Sequence, residues 1–177
     1  MPFEKACLLG IHAHATPFFD ALFLFSHQLG TFTFCAAVVI GMAILHASHG
    51  DRRAAALWLL LGCSTGLMQW QLKDLVGRER PLLWPRLVNE VSYSFPSGHA
   101  LASATFYPLL AWSVARVRPS ARRLAWVLGV ALPLFVGFGR LYLGVHWPTD
   151  VVAGWTIGAL QTAAAMRLVA RPTLGDT

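Results

Sequence analysis

The chain has 177 residues, of which 56% are hydrophobic and only 12% charged, with a mean hydropathy of +0.55. Soluble domains carry about 25% charged residues, so a water-soluble fold would lack the polar surface to cover itself. The net charge of +6 would suit nucleic acid if the cations shared one polar face with aromatics between them. They fall instead in short breaks between apolar runs, which excludes that class of partner.

The length suits a single membrane-embedded domain over 1–177. Residues 1–16 do not resemble a secretory signal, because Glu4, Lys5, His12 and His14 leave only a short apolar patch at 6–11. Insertion is therefore expected to rest on internal spans. Residues 16–30, TPFFDALFLFSHQLG, place Asp20, Ser26, His27 and Gln28 among large apolar side chains. That mixture predicts a helix lying in the membrane interface, within an N-terminal interfacial segment at 1–30; a sixth span is the alternative.

Five segments then approach the roughly 20 apolar residues needed to cross the hydrocarbon core. They are 31–47, 54–72, 98–115, 124–139 and 151–169. The fourth is the shortest and is interrupted by Pro133, a kink that protein neighbours can tolerate. The expected fold class is all-α: an integral membrane helical bundle of about five transmembrane helices plus the interfacial helix. Cys35 and Cys63 lie inside apolar runs and, with Cys7, show no metal-like spacing; they read as small core residues.

The loops divide by charge. Arg52, Arg53, Arg116, Arg118, Arg122, Arg123, Arg167 and Arg171 stand with Asp51 and Asp176 in the 46–53 and 116–123 loops and the C-terminal tail. Lys73, Arg78, Arg80, Arg86 and Arg140 stand with Asp74, Glu79, Glu90 and Asp150 in the 73–97 and 140–150 loops. Cytoplasmic loops carry the excess of Lys and Arg, so the second set is expected to face outward. Trp112 and Trp126 near one end, and Trp70, Trp84 and Trp147 near the other, fit interfacial aromatic belts, although helix packing accounts for them equally.

Charged residues at span ends are costly and mark function, and three clusters share the outward side. In KDLVGRERP (73–81), seven helical residues turn through about 700°. Lys73 and Arg80 would then share a face, with Pro81 stopping the helix, and two cations suit a multiply charged anion. In SFPSGH (94–99), Ser97 is a natural N-cap. Gly98 lets an anion approach the first free N–H groups, and His99 sits in the first turn. In GRLYLGVHWPTD (139–150), His146 and Asp150 bracket Pro148 at a helix start. A carboxylate holding one ring N–H leaves the other nitrogen free as a nucleophile. Taken singly, each cluster also reads as something plainer: a basic anchor, a capped helix start, an Asp cap beside an interfacial histidine.

At Lys73…Arg80-Pro81, Pro96-Ser97-Gly98-His99 and Arg140…His146…Asp150 the chain resembles the type-2 phosphatidic acid phosphatase superfamily, the lipid phosphate phosphatases. All three spacings of that family's motifs are kept across 73–150. One departure is Gly139, where the family usually has Ser; another is length, since many bacterial members have six spans and this chain is expected to show about five. The resemblance implies His146 as nucleophile, Asp150 as its orienting partner and His99 as general acid. It implies Lys73, Arg80, Ser97, Gly98 and Arg140 as phosphate-binding residues. Three cations and a helix N-terminus can stabilise phosphoryl transfer, so no metal or cofactor is implied.

The expected enzyme is a metal-independent lipid phosphate or diphosphate hydrolase of the bacterial cytoplasmic membrane, with its site facing outward. Undecaprenyl diphosphate is the favoured substrate by resemblance, with phosphatidylglycerophosphate and phosphatidic acid next. A lipid A phosphatase or phosphotransferase is an alternative enzyme, and a lipid-binding or transport protein the alternative of another class. The remaining histidines, His12, His14, His27, His46 and His49, have no partner at a diagnostic spacing.

Overall fold

A computed structural model describes residues 1–170; Arg171 and Asp176 lie outside the described residues. All regular structure among the described residues is helical: α1 Pro2–His12, α2 Pro17–Leu29, α3 Phe32–Ser48, α4 Arg52–Val76, α5 Gly98–Val117, α6 Arg122–Tyr142 and α7 Pro148–Ala170. The five long helices, α3 to α7, cover the five expected spans.

Several boundaries follow from local chemistry. Thr16, Thr31, Asp51 and Ser97 each cap a helix by accepting a backbone N–H three residues on. α6 has 21 residues and runs through Pro133, so the fourth segment is longer than expected and is not the shortest. Trp155 Nε1 on α7 donates to the Pro133 carbonyl at 2.9 Å, showing the protein neighbour that accompanies this proline.

The N-terminal segment differs from expectation. In place of the one interfacial helix expected at 16–30 there are two helices in the segment 1–30, α1 and α2, bent by 118°. Pro17 at the start of α2 and the Thr16 cap separate them. Taken together the pair is long and apolar enough to be one span; Pro119–Tyr142 is so by itself, and α3 is apolar but shorter.

α5 is the most enclosed helix, packed chiefly between α6 and α7. Small residues bring the axes close: a β-carbon at Gly154 would lie 2.7 Å from the Ser97 carbonyl oxygen, and one at Gly129 would lie 2.6 Å from the Ala111 β-carbon. One apolar core joins α3, α4, α5 and α7 around Trp58, Phe106 and Leu109. A second gathers Phe23 of α2 with Tyr142, Leu143 and Val145. Ile40, Ile44, Leu60, Leu134 and Leu160 point away from both and are exposed, as lipid-facing positions would be.

Candidate active site

The first cluster departs from the expected geometry but still converges. Gly77 adopts a left-handed conformation (φ 59°) and caps α4 after Val76. The helix therefore ends five residues before Pro81, and Arg80 lies in the following loop rather than on the face of Lys73. That loop, 77–97, folds back over the helix end. Lys73 Nζ donates to Ser92 Oγ at 3.2 Å and to the Tyr93 carbonyl, while Arg80 Nε donates to the Ser92 carbonyl at 2.7 Å. Both cations meet at one stretch of loop instead of one helical face.

The third cluster closes the helix-to-helix turn. Arg140 sits in the last turn of α6 and is fully buried. His146 lies in the loop and Asp150 in the first turn of α7, both essentially buried. Asp150 Oδ2 accepts the Trp147 N–H at 2.8 Å and lies 3.6 Å from His146 Nδ1, longer than a hydrogen bond. On the other side of the ring, Nε2 faces Arg80 Nη1 at 3.1 Å. A guanidinium only donates, so Nε2 carries the lone pair and the proton belongs on Nδ1, toward Asp150. Burial first, then the charges of Arg140, Arg80 and Lys73, hold this imidazole well below its ordinary 6.5.

The second cluster joins the third directly, because the Ser97 N–H donates to the Asp150 carbonyl at 3.0 Å. Ser97 is fully buried and caps Ala100. The N–H groups of Gly98 and His99 precede the first intrahelical bonds and remain for an anion. A β-carbon at Gly98 would strike the Gln69 side chain. His99 Nε2 is buried without a hydrogen-bond partner.

Five further residues enter the site that the motif reading passed over. Arg78 bridges Glu4 of α1 (2.7 Å) to Asp150 (2.5 Å), and Glu4 also accepts from the Thr149 hydroxyl at 2.6 Å. Glu90 accepts from both Arg140 and Arg80. His27 of α2 stacks on His99 with centroids 4.8 Å apart, and its Nδ1 meets Arg140 Nη1 at 2.6 Å. Ser26 fills the space beside Gly139. Arg78 and Glu90 were visible as charges within the outward loop; Glu4, Ser26 and His27 had no spacing to reveal them.

His27, Glu90 and His99 bring one potential ligand atom each within 4.8 Å of one another. Glu90 is already held by two guanidinium groups, whose charge opposes a metal ion there. A cavity of about 760 Å³ runs from this polar head, lined by Lys73, Arg80, His99 and His146, into an apolar groove between α3 and α4 lined by Val39 and Leu67 among others.

The chain is thus a helical bundle with buried cations and histidines gathered at one end, and that combination points to a class. The profile of the PAP2 superfamily matches residues 53–173, and the chain belongs to that superfamily. It is 36% identical over 107 residues to the phosphatidylglycerophosphatase B of Bacillus subtilis, covering 59% of this chain and 52% of that protein. It is 39% identical over 67 residues to an undecaprenyl-diphosphatase of Sulfolobus acidocaldarius, covering 38% of this chain and 29% of that one. The chain thus spans about half, or less, of the length of these curated relatives. The crystal structure of a transmembrane PAP2-type phosphatidylglycerolphosphate phosphatase from Bacillus subtilis superimposes with a TM-score of 0.90 at 25% identity, covering 98% of this chain and 88% of that one.

Proposed function

We propose that this chain is a lipid phosphatase of the bacterial cytoplasmic membrane that works through a phosphohistidine at His146. One observation carries the reading. Lys73, Arg80 and the two histidines His99 and His146 line the polar head of a cavity whose other end is an apolar groove, and the buried Arg140 is tied to that head through Glu90. A lipid phosphate has the matching shape, with a charged head on an apolar stem.

His146 Nε2 attacks the phosphorus, a P–N bond forms, and the bond from phosphorus to the lipid oxygen breaks. His99 gives that oxygen its proton. Lys73, Arg80, Arg140 and the N–H groups at Gly98 and His99 hold the phosphoryl oxygens, which accounts for most of what such a transfer requires. Asp150 faces the Nδ1 side of the nucleophile. Water then attacks the phosphohistidine while giving a proton to the now neutral His99, and the P–N bond breaks to release inorganic phosphate and restore both histidines. The distribution of Lys and Arg supports an outward-facing site.

The named relatives bring phosphatidylglycerophosphate and undecaprenyl diphosphate as candidate substrates. The overall resemblance favours the diphosphate; the Bacillus subtilis relative and crystal structure favour phosphatidylglycerophosphate. Phosphate release by the purified chain, measured over a panel of both lipids, phosphatidic acid and lipid A, decides among them. Hydrolysis of a single lipid in water alone supports a hydrolase over a phosphotransferase. Turnover should vanish in His146→Ala, and release that survives this change well above background would end the proposal.

A further inference from the structure

We infer that the Glu90 carboxylate is a built-in anion that holds Arg80 and Arg140 together in the empty site and gives way when a phosphoryl group enters. The inference rests on the phosphate site proposed above. Arg140 is fully buried in α6, and a buried guanidinium without a counter-charge is strongly destabilising. Glu90 supplies the counter-charge. One of its oxygens accepts from Arg140 Nη2 and the other from Arg80 Nη2, the latter at 3.3 Å.

A carboxylate and a phosphoryl group present similar oxygens to guanidinium N–H groups, so they compete for the same donors. The geometry favours exchange. Glu90 sits in the irregular 77–97 loop between exposed Asn89 and exposed Val91, and its side chain is 18% exposed. It can withdraw toward water, while Arg140 is fixed in a helix. The same contacts keep the nucleophile covered, since Arg80 offers Nη2 to Glu90 and Nη1 to His146 Nε2. An incoming phosphoryl group that takes over the Arg80 donors frees the imidazole lone pair as it binds. Glu90 is thus a positioning residue whose displacement lowers the apparent affinity for phosphate.

Glu90→Gln keeps the shape and removes the charge. Wild-type and variant chains, purified in detergent, are titrated with inorganic phosphate while the midpoint of thermal unfolding reports binding. The half-saturating phosphate concentration should fall about tenfold in Glu90→Gln, the scale of one charge-assisted contact. The difference should persist at high salt, where long-range charge effects are screened. Glu79→Gln, which removes an exposed carboxylate from the same loop, should leave it unchanged. The phosphate-free variant should also unfold at lower temperature than wild type.

Should Glu90→Gln fail to fold, Glu90→Asp carries the test, because the shorter side chain cannot span both arginines and should also tighten phosphate binding. Equal or weaker binding in the folded variant overturns the inference. Tighter binding in a chain whose wild type hydrolyses no lipid would sustain the Glu90 role and remove the function. Absence of phosphate binding in wild type and variant alike would end both.

Discussion

The Ser26 hydroxyl lies where a β-carbon on Gly139 would have to go. Ser26 is fully buried and donates to the Phe23 carbonyl at 2.8 Å, so it has no room to move aside. The glycine that departs from the family pattern is what lets α2 pack against α6, and that packing delivers the neighbouring His27 to Arg140 and His99. Gly139→Ser should therefore cost about 1–3 kcal/mol of stability through overpacking and lower activity by prying His27 away. The exchange Gly139→Ser with Ser26→Gly should recover both. Thermal unfolding and phosphate release on the three proteins check this; an inert single substitution would disprove the packing account.

Arg78 should matter as much as several signature residues. It is the bridge between Glu4 and the fully buried Asp150, and Arg78→Ala would leave that carboxylate without its cation. Breaking such a pair costs about 3–5 kcal/mol when both partners are buried, and less here because the Arg78 side chain is 21% exposed. Turnover should fall at least tenfold, the order expected when a partner that orients a reacting group is removed. Glu4→Gln should act in the same direction but more weakly. Unaltered turnover in Arg78→Ala would show that Asp150 needs no outside support.

The pH profile follows from the depressed His146 imidazole. In the proposed mechanism its neutral form is the nucleophile, so the acidic limb of kcat/KM for the free enzyme should lie below 6.5, while loss of the proton that His99 must donate sets the alkaline limb. Stability shifts in the same sense. The unfolded histidine takes up a proton near 6.5 while the folded one resists, so this group destabilises the fold as pH falls below 6.5 and has no effect well above it. An acidic limb of kcat/KM centred at or above 6.5 would contradict the burial seen here.

Orientation is open to direct chemistry. Asn89 in the 77–97 loop and Ser120 in the turn between α5 and α6 are both exposed. In a chain whose native cysteines are replaced, a cysteine at 89 should react with an impermeant reagent in whole cells, and one at 120 should not. The reverse pattern would put the site in the cytoplasm.

The three signature clusters were legible because charge at the end of an apolar run is scarce and each cluster is local in sequence. The five long helices were legible from run length. Contacts made by the N-terminal helices were not: His27 and Arg140 are 113 positions apart, and Glu4 and Thr149 are 145 apart. A lone histidine in a mixed-polarity segment carries no period that points to a partner. Lys73 and Arg80 met for a reason the spacing misrepresented. Counting turns assumed an unbroken helix, whereas a left-handed glycine at 77 ended it and the loop restored the convergence. Trp84, grouped with the outer aromatic belt, instead stacks on His12 at 4.0 Å and packs against Gly144, the packing alternative.

The cavity with one wet end and one greasy end has a consequence for how a turnover would finish. For the lipid phosphatase proposed above, the two products would differ in where they dissolve, so they would not need to queue for a common exit. The freed ion would depart through the loop side into water, while the trimmed lipid would slide sideways along the groove between α3 and α4 without leaving the bilayer. Crowding of the leaflet by spent lipid would then slow the enzyme from the flank, whereas free phosphate would slow it from the front.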